Sequence, residues 1–142
     1  MDNNWIVDLL NEDLKNEYKH MNFYLYHASA ITGLHREEYR ELLLKSAADE
    51  MSHITAFSDL IIGLGGIPTS DSNPFNKFTS PTDIINYAIQ IEAEVVDNYV
   101  KRIQDANNLG GTDGRWLEIF LEKQIEDSRQ DLDNFRQISR NS

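Results

Sequence analysis

The sequence predicts an all-α chain, a four-helix bundle with one long crossover between its second and third helices. Three observations carry this. Glycine and proline cluster in three places, "TGLHRE" at Gly33, "GLGGIPTSDSNP" from Gly63 to Pro74 with Pro81 just beyond, and "NNLGGTDG" from Asn107 to Gly114. Between these breaks lie four segments with apolar residues at helical spacing. The joints also differ in length, the middle one being far longer than the others.

The first helix is expected over 5–32, with Ile6, Leu10, Leu14, Met21, Tyr24, Ala28 and Ile31 along one stripe. The second, over 36–64, carries Tyr39, Leu43, Ala47, Ile54, Phe57, Ile61 and Leu64. The third, over 81–107, opens on "SPTD", where Ser80 can cap and Pro81 takes the first helical position. Its stripe is Ile85, Ala88, Val95, Val96, Tyr99 and Ile103. The fourth, over 113–139, aligns Leu117, Leu121, Ile125, Leu132, Phe135 and Ile138. Short first and third joints make helices 1/2 and 3/4 antiparallel hairpins. The middle joint, about 65–80, can reach roughly 53 Å when extended, against a helix length of roughly 42 Å. It can therefore run the length of the bundle and leave helix 3 parallel to helix 2. An up-down-up-down bundle with a slack loop is the alternative.

At 142 residues the chain is expected to form a single domain, 1–142. Its net charge of −11, from 13 Lys+Arg and 24 Asp+Glu, and the lack of a basic tail argue against a nucleic-acid surface. The charge suits metal cations, or simply a solvated acidic exterior. There is no cysteine, which excludes disulfides and thiolate metal sites. "MDNNWIVDLL" has no positively charged leader region, and no apolar run approaches ~18 residues, so no membrane partner and a cytoplasmic location are expected.

Polar residues inside the apolar stripes are the candidates for chemistry. Advancing about 100° per residue, Glu17 falls at the centre of the first stripe, Glu50 at the centre of the second with His53 beside it in "ADEMSHI", and Glu92 at the centre of the third. Glu94 faces outward. Glu17 lies sixteen residues before Gly33 and Glu50 seventeen after it, so the two oppose each other across the hairpin. A buried carboxylate costs several kcal/mol unless paired, protonated or bound to a cation. Glutamate oxygens with a histidine nitrogen are ligands that Fe, Mn or Zn would take. The alternative is protonated carboxyls hydrogen-bonded to tyrosines such as Tyr24 and Tyr99.

At these residues the sequence resembles the bacterioferritins, within the ferritin-like di-iron carboxylate superfamily. The likeness is closest over 9–68: "LLNEDLKNEYKHMNFYLYHAS", then "AADEMSHITAFSDLIIGLGGIP". It rests on an inward glutamate seven residues before a tyrosine (Glu17 and Tyr24), a following His27-Ala28, Glu-Met-x-His on helix 2, and a Leu-Gly-Gly-x-Pro exit at Leu64–Pro68. The resemblance implies a ferritin-like bundle in which Glu17 and His53 hold one iron, Glu50 bridges, Glu92 binds the second iron, and Glu50 and Tyr24 serve catalysis. It implies oxidation of Fe(II) by O₂ or peroxide, a ferroxidase for iron storage or detoxification. Helix 4 departs from the family's Glu-x-x-His. In "FLEKQIEDSRQDLDNF" the pattern aligns Ser128 and Asp131 with the two ligands; other registers give Gln124/Asp127 or Glu126/Arg129. Asp131 is thus the candidate third ligand of the second iron. A degenerate site in a structural or partner-binding bundle, or a di-iron oxidase or oxygenase acting on an organic substrate, are the alternatives. Met51 stands where the family places the thioether that ligates a shared haem; packing at a helix contact is its other role. Helix 4 runs to within a few residues of Ser142, where the family adds a short fifth helix, so a homodimer is expected rather than a larger shell. His20 and His35 are expected to be isolated surface histidines.

Overall fold

Four helices punctuated by glycine and proline are what the computed structural model contains. It describes residues 3–140. The helices are α1 (Asn4–Ala30), α2 (Arg36–Gly63), α3 (Pro81–Leu109) and α4 (Gly111–Ser139), with no strand among the described residues. This is the all-α architecture, with one long crossover between α2 and α3, that the sequence predicts. The ends shift by up to two residues. α1 stops at Ala30 because Ile31 turns to extended backbone, with ψ 138°. α4 starts two residues early, inside "GGTDG". The chain divides into two compact units, Met1–Ile84 and Ile85–Ser142.

The first unit is built on the α1–α2 hairpin. Gly33, at φ 109°, makes the reversal that a side-chain-bearing residue would resist. The last carbonyls of α1 have no partner within the helix. Arginines from the start of α2 supply donors: Arg40 Nη1 to Ala28 O at 3.1 Å and Arg36 Nη2 to Ser29 O at 3.3 Å. Leu10, Leu14, Tyr24 and Ala28 of α1 and Leu43, Phe57 and Ile61 of α2 are fully buried. The crossover lies along α1 rather than hanging loose. Asn11 accepts from the Thr69 N–H (2.8 Å) and donates to Ile67 O (3.0 Å), and Asn73 Nδ2 donates to Asn16 (2.7 Å). Further on, Phe75 packs on Phe23 and Tyr26, and Phe78 N–H donates to His27 Nε2 at 3.0 Å. From Ile67 to Phe78 the crossover therefore tracks α1 from Asn11 to His27, delivering the chain to the start of α3. There Ser80 Oγ accepts the Asp83 N–H at 3.1 Å, the cap expected from "SPTD".

The second unit is the α3–α4 pair. Gly110, the one-residue joint, and Gly111, the first residue of α4, both take positive φ, 69° and 62°. Gly114 lets α4 leave that joint close to α3: a Cβ there would stand 2.5 Å from the Ala106 carbonyl oxygen. Leu117, Leu121, Leu132 and Phe135 form the buried stripe of α4, interrupted by Gln124 and Ser128.

Candidate metal centre

The hairpin brings Glu17, Glu50 and His53 together. Each offers a ligand atom within 4.8 Å of the others. His53 Nδ1 stands 3.4 Å from Glu17 Oε2 and 3.6 Å from Glu50 Oε2. Both glutamates are 1% exposed and His53 is 6% exposed. The opposition of Glu17 and Glu50 follows from their near-equal distances to Gly33. His53 joins them because a residue three places on lies one turn further along the same face.

The electrostatics explain how such a set survives burial. Desolvation pushes the Glu17 carboxyl up, but its hydrogen bond with Glu50, the adjacent His53 imidazole and the positive charge that His20 and His53 carry when protonated outweigh it, leaving Glu17 at about 2. Glu17 is then ionised at neutral pH, and its hydrogen bond with Glu50 requires one proton between the two carboxyls. A cation could replace that proton. The spacing fits one: two donors each about 2.1 Å from an ion at a tetrahedral angle sit about 3.4 Å apart. Two carboxylates and one imidazole are a donor set for Fe, Mn or Zn.

His20 corrects the sequence expectation. It is 3% exposed, not a surface residue. Burial drives its pKa down to about 4, opposed by the Glu17 charge, so it is neutral at pH 7. A ring nitrogen of His20 lies within 4.8 Å of a Glu50 carboxylate oxygen. The signal was present: His20 follows Glu17 by three residues, the spacing that singled out His53 after Glu50. Asp13, one turn before Glu17, is also buried, at 1% exposure. His35 is exposed, 3.7 Å from Glu38.

The other candidates are placed as follows. Tyr24 is wholly buried on α1, edge-on to Phe23 with ring centroids 5.3 Å apart. Glu92 is buried on α3. Asp131 is half-buried on α4 and, among the described residues, joins no cluster of three metal-ligand side chains. Gln124 and Ser128 are buried on the same helix, and Gln124 Oε1 makes no hydrogen bond among the described residues. Met51 is 57% exposed on α2. His27 is pinned rather than open, its Nδ1 donating to Phe23 O at 2.9 Å while Nε2 accepts from Phe78.

Comparison with known proteins identifies the fold. A profile described as "Ferritin-like domain" matches residues 7–141. Among solved structures, a ferritin-like, diiron-carboxylate protein from Bacillus anthracis str. Ames superposes with a TM-score of 0.89 at 26% identity, covering 98% of this chain and 99% of that one. The bacterioferritin of Rhodobacter capsulatus, described with a metal-free dinuclear site and haem iron, superposes with a TM-score of 0.82 at 16% identity, covering 97% and 85%. This second likeness is one of fold. No curated protein matches the sequence.

Proposed function

We propose that this chain, which belongs to the ferritin-like domain family, binds Fe(II) through Glu17, Glu50 and His53 and oxidises it. The observation that carries the reading is the convergence of these three buried side chains, 3.4 and 3.6 Å apart at His53. Glu92 is added as the carboxylate of a second iron, supported by the family resemblance and its burial.

Iron is the substrate. Two Fe(II) each give one electron to O₂, which takes up two protons and leaves as hydrogen peroxide, with two Fe(III) formed. With peroxide as oxidant, the same two electrons and two protons yield two waters. The protein's part is electrostatic. Ionised Glu17 would attract the cation, Glu50 would give up the proton it shares with Glu17 to become a second carboxylate ligand, and the His53 imidazole would fix one position. Hard carboxylate oxygens favour Fe(III) over Fe(II), which lowers the cost of losing the electron. Tyr24, buried on the same helix, is the proposed assisting side chain. Storage or detoxification of iron by a cytoplasmic homodimer is the setting this reading suggests. No described helix is long and apolar enough to cross a membrane. Met51, exposed on α2, is a proposed haem thioether only where two copies meet.

One observation favours a second reading. Gln124 and Ser128 place neutral groups in the buried stripe of α4, where the family resemblance called for charged ligands. A one-ion structural centre would need no more than Glu17, Glu50 and His53. Stopped-flow mixing of Fe(II) with aerated buffer separates the two. The native chain should raise near-ultraviolet absorbance at least about a hundredfold faster than Glu50→Ala. Equal rates would refute ferroxidase activity at this site.

A further inference from the structure

We infer that His20 is a metal ligand, so that Glu17-x-x-His20 on α1 and Glu50-x-x-His53 on α2 act as a matched pair of motifs supplying both imidazoles of a two-ion centre. This rests on the reading above, that the buried cluster binds metal.

Residues three apart on a helix share a face and differ by one-turn spacing, about 4.5 Å along the axis. α1 and α2 form an antiparallel hairpin with Glu17 facing Glu50. Going from each glutamate to its histidine therefore moves in opposite directions along the hairpin. The two histidine backbones are placed about 9 Å apart in level, one on each side of the glutamate pair. Two side-chain distances agree with this placement. His53 Nδ1 approaches Glu17 Oε2 across the hairpin at 3.4 Å. His20, starting from α1, brings a ring nitrogen within 4.8 Å of a Glu50 oxygen. Each histidine thus reaches the glutamate of the other helix, and two imidazoles stand near the Glu50 carboxylate.

The same placement answers a difficulty raised by α4. Ferritin-like di-metal bundles use two Glu-x-x-His motifs on different helices. Here α4 has none, and offers buried Gln124 and Ser128 instead. The second motif has not been lost from the chain; it stands on α1. A divalent ion of borderline hardness, Fe(II), Mn(II), Co(II) or Zn(II), is the ligand class that one imidazole with carboxylate oxygens would take. The rival role for His20 is that of a buried hydrogen-bonding neighbour of Glu17, with no metal of its own.

Zn(II) titration of the full chain, uniformly ¹⁵N-labelled, tests this without relying on activity. The chain has four histidines, so the imidazole nitrogens can be assigned in the native protein. Calorimetry should count two Zn(II) per chain, and ¹⁵N signals of both His20 and His53 should move, while those of His27 and His35 stay. His20→Gln should bind one Zn(II) and His53→Gln should lose the other position. The inference is overturned if His53 moves and His20 does not, or if folded His20→Gln still binds two ions. Should His20→Gln fail to fold, the native spectra alone decide. Loss of Zn(II) binding altogether, with neither histidine moving, would overturn the parent reading as well. That outcome differs from the His20-specific failure.

Discussion

Replacing Glu50 by glutamine separates what the carboxyl does for folding from what it does for metal. In the metal-free protein Glu50 hydrogen-bonds Glu17, and both are 1% exposed. The amide of Glu50→Gln can donate to ionised Glu17 without needing a proton from solvent. The metal-free variant should therefore be at least as stable as the native chain, since a neutral amide donor takes the place of the carboxyl without leaving a buried charge unpaired. With metal the order reverses. An ion at a hundred times its Kd stabilises a folded protein by about 2.7 kcal/mol. For a chain of 142 residues the unfolding entropy is about 0.3 kcal/mol/K, so this raises Tm by about 9 °C. Outer-shell changes alone weaken metal binding by up to about a hundredfold, and loss of a carboxylate ligand should weaken it at least as much. At the same ion concentration the gain falls to about 0.4 kcal/mol, or about 1 °C. The assay is thermal unfolding by circular dichroism, with chelator and then with Zn(II) or anaerobic Fe(II). A full metal-induced shift in Glu50→Gln would mean the ion binds elsewhere. A metal-free variant destabilised by several kcal/mol would mean the charge on Glu50 is structural.

Other parts of the fold make their own predictions. His27 is held below its ordinary 6.5, first by burial and then by the Lys77 charge, against the Phe23 hydrogen bond. Its contribution is whole above pH 6.5 and is lost as pH falls, because the unfolded chain takes the proton that the folded one resists; a Tm series down to about pH 5 should slope less steeply in His27→Gln, and an unchanged slope would contradict the assignment. Gly114→Ala would put a Cβ 2.5 Å from the Ala106 carbonyl oxygen, which should cost roughly 1–3 kcal/mol, about 3–10 °C in Tm; unaltered melting would show that α3 and α4 can separate freely there. Gln124→Met keeps the volume and removes a buried Oε1 that makes no hydrogen bond among the described residues. It should leave metal-free stability within about 1 kcal/mol or raise it, and a larger loss would reveal a partner for that amide.

The helices were legible because glycine and proline are confined to the joints, leaving each apolar stripe intact. The opposition of Glu17 and Glu50 came from counting residues around Gly33, which a tight reversal makes reliable. His20 was not legible as a buried group when weighed alone. It lies about 60° around the helix from Glu17, on the opposite flank from Met21, and the structure buries His20 while leaving Met21 half-buried. A stripe drawn from apolar residues alone was centred too far toward Met21. His27 shows a second reason. Its cover comes from Phe75 and Phe78 of the crossover, and residue spacing within α1 says nothing of where a loop after α2 will lie. The family pattern places Glu-x-x-His on helices 2 and 4, so the resemblance points to α4 rather than α1.

Buried Glu17, Glu50 and His53 are proposed to hold Fe(II) in position to be oxidised. Anaerobic Fe(II) titration of the native chain by calorimetry, followed by admission of air, tests it most directly. Saturable binding of up to two Fe(II) per chain is expected, with a prompt rise in near-ultraviolet absorbance once oxygen enters. Absence of binding, or bound iron that oxidises no faster than iron in buffer, would contradict it.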